Sequence, residues 1–144
     1  MKNVSILFCV FVAVFYGCTD RIPQFVPKEG DLLFQDSDCG PLCEAIEAVT
    51  SGYQGANITH VGIVAKDESN NLVVLEAVSK GVRSTPLKSF LNRSLDGSGR
   101  PKVIVGRVKS DYQPLIPLAI KHAFMLIGKP YDKVFAINND AYYC

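Results

Sequence analysis

Residues 59–78 read THVGIVAKDESNNLVVLEAV, and this stretch decides the fold. Two apolar segments, Thr59–Lys66 and Leu72–Val78, are rich in β-branched residues and flank the polar run Asp67–Asn71. Residues of these types favour strands and turns respectively. The pattern therefore predicts an antiparallel β-hairpin near the middle of the chain.

Further elements are predicted on both sides of this hairpin. The added strands are predicted at 32–34, 82–85 and 102–108, and the helices at 41–50, 86–90 and 115–127. Either Ser84 or Thr85 fits the N-cap of the short helix that Pro86 opens. Because the strands cluster instead of alternating with helices, the order predicts an α+β fold with an antiparallel sheet.

Composition bounds the possible functions. The chain has 144 residues, of which 48% are hydrophobic, and its formal net charge is +1. This length suits one domain, and the apolar fraction is too high for a disordered chain. A near-zero charge without Lys/Arg runs argues against a nucleic-acid partner. The sequence does not indicate an oligomeric state.

The first residues resemble an export signal. Lys2 precedes the apolar run Val4–Tyr16, which is shorter than the roughly 20 residues that a transmembrane helix needs. The following Gly17-Cys18 is similar to a bacterial lipobox, which predicts a lipoprotein signal at 1–17, a lipid anchor on Cys18 and a tether at 18–28. The expected location is the membrane surface, facing the periplasm or the outside of the cell. A secreted protein with an ordinary signal peptide and an uncleaved anchor stay as alternatives.

Cys39 and Cys43 form a C-x-x-x-C pair near a helix start. In an exported protein the pair could form a disulfide, but a bridge within one helix would be strained. We therefore expect two small, half-buried residues, with their redox state left open. A zinc site would need two more ligands at a recognisable spacing, and the sequence offers only His60 and His122. No metal or other cofactor is expected.

His60 and Glu76 are the candidate acid–base pair. Glu76 interrupts an apolar run, and carboxylates are rarely buried without a partner. A turn centred on Glu68 would pair the two residues directly, whereas a turn centred on Ser69 would make them diagonal neighbours. In either register the carboxylate could orient the imidazole. Gly62, two residues along the same face, would let another group approach closely.

Two further residues complete the candidates for chemistry. His122 lies within a predicted helix, and we expect it to be structural or exposed. Cys144 follows a polar, turn-like segment and is the candidate nucleophile, provided that a neighbouring imidazolium or helix N-terminus lowers its pKa. An inert terminal cysteine is the alternative.

Together these residues resemble the permuted papain-like amidases of the YiiX/YaeF kind, within the NlpC-type cysteine hydrolase superfamily. The histidine strand comes first and the cysteine last in this permuted group, as they do here. The similar segments cover about residues 29–144 and comprise GDLLF at 30–34, THVGIV at 59–64, LEA at 75–77, GKPYD at 128–132 and NDAYYC at 139–144.

The resemblance implies a permuted papain-like domain at 29–144 with Cys144 as nucleophile, His60 as general base and Glu76 orienting His60. Tyr131 matches a motif position near the site. The implied function is an exported amidase or peptidase that cleaves a cell-wall peptide or an N-acyl compound in the envelope through a thioacyl intermediate. An acyltransferase similar to lecithin retinol acyltransferases and a non-catalytic module that binds lipid or peptide are the alternatives.

The chain departs from this family at Cys144. The family's cysteine starts a helix, whereas no residue follows here. We therefore expect a fragment or a truncated protein. Without the helix dipole, and with a carboxylate beside the sulfur, the thiol pKa should rise and activity should be weak.

Overall fold

The computed structural model describes residues 25–144, so the predicted signal segment and Cys18 lie outside the described residues. One antiparallel sheet forms the centre of the fold. Its five strands are ordered β4-β3-β2-β1-β5. The strands are β1 (Leu32–Gln35), β2 (His60–Lys66), β3 (Leu72–Val78), β4 (Gly81–Pro86) and β5 (Val103–Gly106). This architecture confirms the predicted α+β class.

The β2–β3 hairpin forms as its sequence predicts. The Asp67 carboxylate accepts hydrogen bonds from the backbone N–H groups of Ser69 and Asn71 in the turn. Ile63 lies opposite Leu75, which corresponds to a turn centred on Ser69. Of the two registers considered, this is the one that makes His60 and Glu76 diagonal neighbours.

The described residues also form three α-helices, α1 (Pro41–Val49), α2 (Leu87–Leu91) and α3 (Ile116–Met125), of which α2 and α3 pack on the sheet. Helix α3 is shorter than the predicted 115–127, because Leu115 belongs to a separate 3₁₀ helix at 110–115 and the α-helix already ends at Met125. The N-cap prediction for α2 is wrong: Pro86 occupies that position, and no side chain caps the helix. Thr85 is instead the last but one residue of β4 and directs its hydroxyl elsewhere.

The core lies on both faces of the sheet, because alternate strand residues point to opposite sides. On one face, Leu33, Val64 and Val74 pack with Phe90 of α2. On the other face, a second buried group packs with α3; its members are Ala65, Val73, Leu75 and Ile120. His60, Gly62 and Glu76 share the Phe90 face by this alternation. Within residues 25–144, we find no helix with the length and apolar character required to cross a membrane.

Candidate active site

The hairpin brings His60 and Glu76 into contact. The imidazole Nε2 lies 2.7 Å from Glu76 Oε2. Glu76 is only 3% exposed, so its charge is shielded from water. Between them on the same face, Gly62 leaves room that is filled by Val74 and Phe90, since a Cβ there would clash with the Val74 side chain. The space predicted at Gly62 therefore admits core side chains that support the imidazole.

The C-terminal segment, defined here as residues 128–144, brings Cys144 to the other side of the imidazole. Cys144 Sγ lies 2.8 Å from His60 Nδ1. Backbone hydrogen bonds tie this segment to the sheet edge: the N–H of Val82 in β4 donates to the Lys129 carbonyl at 2.9 Å. Farther along, the N–H of Asp132 donates to the Tyr142 carbonyl, also at 2.9 Å. The sheet edge thus positions the thiol through two successive backbone connections.

Two residues that the sequence analysis missed hold Glu76 in place. Both guanidinium NH2 groups of Arg93 donate to the carboxylate, at 2.8 and 2.6 Å. The hydroxyl of Thr85 donates to Oε1 at 2.6 Å, which explains why it does not cap α2. The Arg93 guanidinium also lies over the Phe90 ring, 5.1 Å from its centroid. Such bidentate pairs fix orientation as well as charge.

Strand alternation could have identified Thr85, because Arg83 lies opposite Glu76 in the β3–β4 register and Thr85 follows two residues later on the same face. Arg93 carries no comparable signal, because it lies in the loop after α2. The only sequence clue to it was the rule that a buried carboxylate needs a partner.

The hydrogen-bond chain from Arg93 to Cys144 sets the protonation of the site. Burial raises the pKa of Glu76, but hydrogen bonds from Arg93, His60 and Thr85 outweigh burial and bring the pKa to about 2. Burial lowers the pKa of His60, but hydrogen bonds with Cys144 and Glu76 dominate and raise the pKa to about 9. Glu76 is therefore a carboxylate at neutral pH, and His60 is poised as an imidazolium.

The pKa of the Cys144 thiol is shifted downward. Burial raises this pKa, but the hydrogen bond and positive charge of His60, with backbone N–H groups including that of Val61, lower it more. The net direction is opposite to the rise expected from a carboxylate beside the sulfur, because the imidazole is in direct contact with the thiol. A thiolate next to an imidazolium is the nucleophilic state of a cysteine hydrolase site.

A cleft of about 480 Å³ opens beside the thiol. His60, Cys144 and Tyr131 all line it. Burial and the negative charge of Cys144 raise the pKa of Tyr131, which keeps its hydroxyl protonated. Within the described residues, no cluster of three or more His, Cys, Asp or Glu side chains could hold a metal ion.

The remaining candidates lie apart from the thiol–imidazole contact. Cys39 and Cys43 form a disulfide with Cα atoms 5.3 Å apart, which is the alternative that the sequence left open; Cys39 is exposed and Cys43 is buried, so the favoured expectation of two simple half-buried residues is wrong. The predicted strain does not apply, because Cys39 precedes the helix and Gly40, with a φ of 77°, turns the chain before α1 begins. His122 is exposed on α3, as expected.

This chain belongs to the permuted papain-like amidase enzymes of the YaeF/YiiX, C92 family, whose model matches residues 26–144. The match confirms the resemblance and the permuted papain-like fold class. Among individual relatives, the chain is 27% identical over 146 residues to protein YiiX of Escherichia coli (strain K12). That alignment covers 100% of this chain and 63% of the relative's length.

Proposed function

We propose that this protein is an exported cysteine amidase that cleaves a cell-wall peptide or an N-acyl compound through a thioacyl intermediate on Cys144. The observation that carries the proposal is the single hydrogen-bond chain from Arg93 through Glu76 and His60 to Cys144. Each donor and acceptor in this chain has the charge that activates the next group.

In the proposed first step, the Cys144 thiolate attacks the amide carbonyl carbon and a C–S bond forms. The Nδ1–H of the His60 imidazolium then donates its proton to the amide nitrogen, so the C–N bond breaks and an amine leaves. Glu76 keeps the Nε2 proton in a hydrogen bond, and this fixes the tautomer in which Nδ1 becomes the free base.

In the second step, water attacks the thioester while His60 Nδ1 accepts one of its protons. The C–S bond breaks, the acid leaves, and Cys144 returns as a thiolate beside the imidazolium. The sulfur faces Nδ1 and the carboxylate faces Nε2, which is the reverse of the nitrogen usage in Ser-His-Asp proteases. The roles of acid, base and orienting group are the same in both arrangements.

The test combines selective alkylation with amide hydrolysis. We expect iodoacetamide at neutral pH to label Cys144, and His60→Ala to slow this labelling about 10-fold to 100-fold because the imidazolium no longer stabilises the thiolate. His122→Ala is the matched control, since His122 is an exposed histidine on α3. Labelling mapped by mass spectrometry that is indifferent to His60, or absence of hydrolysis across a panel of cell-wall peptides and N-acyl amines, would overturn the proposal.

Export is proposed from the sequence pattern of residues 1–18 alone. In a bacterial host, Cys18→Ser should abolish incorporation of labelled palmitate and move the protein from the membrane fraction to a soluble one. Unchanged palmitate labelling would contradict lipidation at Cys18.

A further inference from the structure

Part of the lining of the cleft beside Cys144 is an apolar wall. Leu42 and Ile46 of α1, Val78 at the end of β3, and Phe135 of the C-terminal segment line it. Both cysteines of the Cys39–Cys43 disulfide also line the cleft, and the bridge joins α1 to the segment just before it. Leu42 is 47% exposed and Phe135 is 49% exposed, so this wall is accessible to a bound molecule. An alkyl or acyl chain has the chemistry that covers such a surface.

Apart from the Cys144 thiolate, the charged side chains of the lining are cationic. Lys80 and Arg83 line the cleft together with His60 and Arg93, and no aspartate or glutamate is among the described residues that line it. Glu76, the acidic residue nearest to Arg83 in the sheet register, is buried below. Its oxygens already accept hydrogen bonds from His60, Thr85 and Arg93.

Lys80 and Arg83 are therefore the cations of the cleft that are available to bind a ligand. Within residues 25–144, neither side chain takes part in an ion pair or a side-chain hydrogen bond, whereas Arg93 is bound to Glu76. Cations that line a cleft without acidic neighbours raise the local concentration of anions and favour their binding.

We propose that the cleft selects amphipathic acyl compounds with an anionic group, which Lys80 and Arg83 bind while the apolar wall covers the acyl chain. This inference rests on the proposed amidase function and names the class of its substrate. The anionic group is a carboxylate or a phosphate, since both accept hydrogen bonds from ammonium and guanidinium groups. A carboxylate corresponds to an N-acyl amino acid or peptide, and a phosphate corresponds to a lipid headgroup.

The experiment measures protection of Cys144 against iodoacetamide by small amphiphiles. N-octanoylglycine and the neutral N-octanoylglycinamide form a matched pair, and octyl phosphate tests the phosphate source. We expect N-octanoylglycine to protect at roughly fivefold lower concentration than the amide, as two partly exposed cations allow. Added salt should weaken protection by the anions and leave protection by the amide unchanged.

The double variant Lys80→Gln/Arg83→Gln should remove the preference for the anion. Lys109→Gln/Lys121→Gln is the matched control, because it removes the same charge from exposed positions outside the cleft lining and should keep the preference. Protection that is stronger with octyl phosphate than with N-octanoylglycine supports the proposal and assigns the phosphate source; the reverse order supports it and assigns the carboxylate.

Equal protection by the charged and neutral glycine compounds, or a preference that survives in the Lys80/Arg83 double variant, would overturn this inference. Labelling that still depends on His60 in the same samples would leave the amidase proposal standing. Loss of that dependence would overturn the amidase proposal itself, so the two failures are distinguishable.

Discussion

The β2–β3 hairpin and the C-terminal segment each supply half of the candidate site, and they are built differently. His60 and Glu76 stand on strands in the middle of a continuous hydrogen-bonded sheet, above a buried Phe90. Cys144 lies on an irregular chain that is tied to the sheet edge by a few backbone hydrogen bonds. The difference indicates that the sheet fixes the positions of His60 and Glu76, the proposed acid–base pair, whereas local turns set the position of Cys144, the proposed nucleophile.

The largest effect is expected when the ion pair between Arg93 and Glu76, which supports the hairpin half of the site, is removed. Arg93→Gln leaves a buried carboxylate short of its charge partner, and we expect a loss of about 1–3 kcal/mol in the free energy of unfolding, discounted for the partial exposure of Arg93. Hydrolysis should also fall more than tenfold. Urea denaturation and kcat/KM measure the two effects.

The conservative variant Arg93→Lys keeps the charge and loses the bidentate geometry, so it should recover part of the stability. Because the pKa of Glu76 is lowered from 4.5 to about 2, its contribution to stability is full above pH 4.5 and is lost as the pH falls toward 2. Arg93→Gln should make the free energy of unfolding depend less on pH in this range. A variant with wild-type stability and an unchanged acid response would contradict the proposed role of Arg93.

A second change tests packing beneath the imidazole. In Gly62→Ala the added Cβ would clash with Val74 and approach Phe90 Cε2 to 3.4 Å. Overpacking of this kind destabilises by about 1–3 kcal/mol. Gly97→Ala is the control, since a Cβ there meets nothing within 4 Å. Equal melting temperatures for the two variants would show that the hairpin half is less rigid than its packing implies.

A smaller effect is expected when an aspartate that stabilises a turn is changed to asparagine, once in the C-terminal segment and once in the hairpin. The Asp132 carboxylate accepts the backbone N–H groups of Val134 and Ala136, and Asp67 caps the hairpin turn in the same way. Asp132→Asn should lower kcat/KM about threefold to tenfold by shifting the thiol, since catalysis is sensitive to small displacements. Asp67→Asn should leave kcat/KM unchanged. Equal effects of the two substitutions on kcat/KM would contradict the idea that turns of the C-terminal segment, and not the hairpin turn, position the thiol.

The last prediction concerns the pH dependence of activity, measured on the folded fraction of each variant. In the proposed mechanism the imidazolium of His60 donates a proton to the leaving amine, so kcat/KM should fall as the pH rises through about 9, the pKa of His60. In Glu76→Gln the hydrogen bond to a carboxylate is lost, and the alkaline limb should move to lower pH. If the alkaline limb of the pH profile does not move in Glu76→Gln, His60 is not the group that protonates the leaving amine.

Sequence alone predicted the hairpin half well, because strand alternation and a polar turn are local signals. It placed His60 and Glu76 on one face but left two registers, since moving the turn centre by one residue changes the pairing without changing the pattern. The family match confirms the general class to which those residues pointed.

The remaining features depend on contacts between distant parts of the chain. Arg93 reaches Glu76 from a loop 17 residues away, and no periodic pattern marks such a residue. The sequence leaves the Cys39–Cys43 bridge open, because a bridge within one helix would be strained, whereas Gly40 separates Cys39 from α1. Periodicity identifies which face a residue occupies, but not where an irregular segment turns.

Phe90 has a consequence for how this site can change by mutation. Its ring lies 5.9 Å from the His60 imidazole and 5.1 Å from the Arg93 guanidinium carbon, and it fills space that Gly62 leaves open. A substitution at any one of these four positions alters the room available to the other three. Residues 60, 62, 90 and 93 should therefore vary together among related sequences, so that compensating pairs are tolerated where single changes are not.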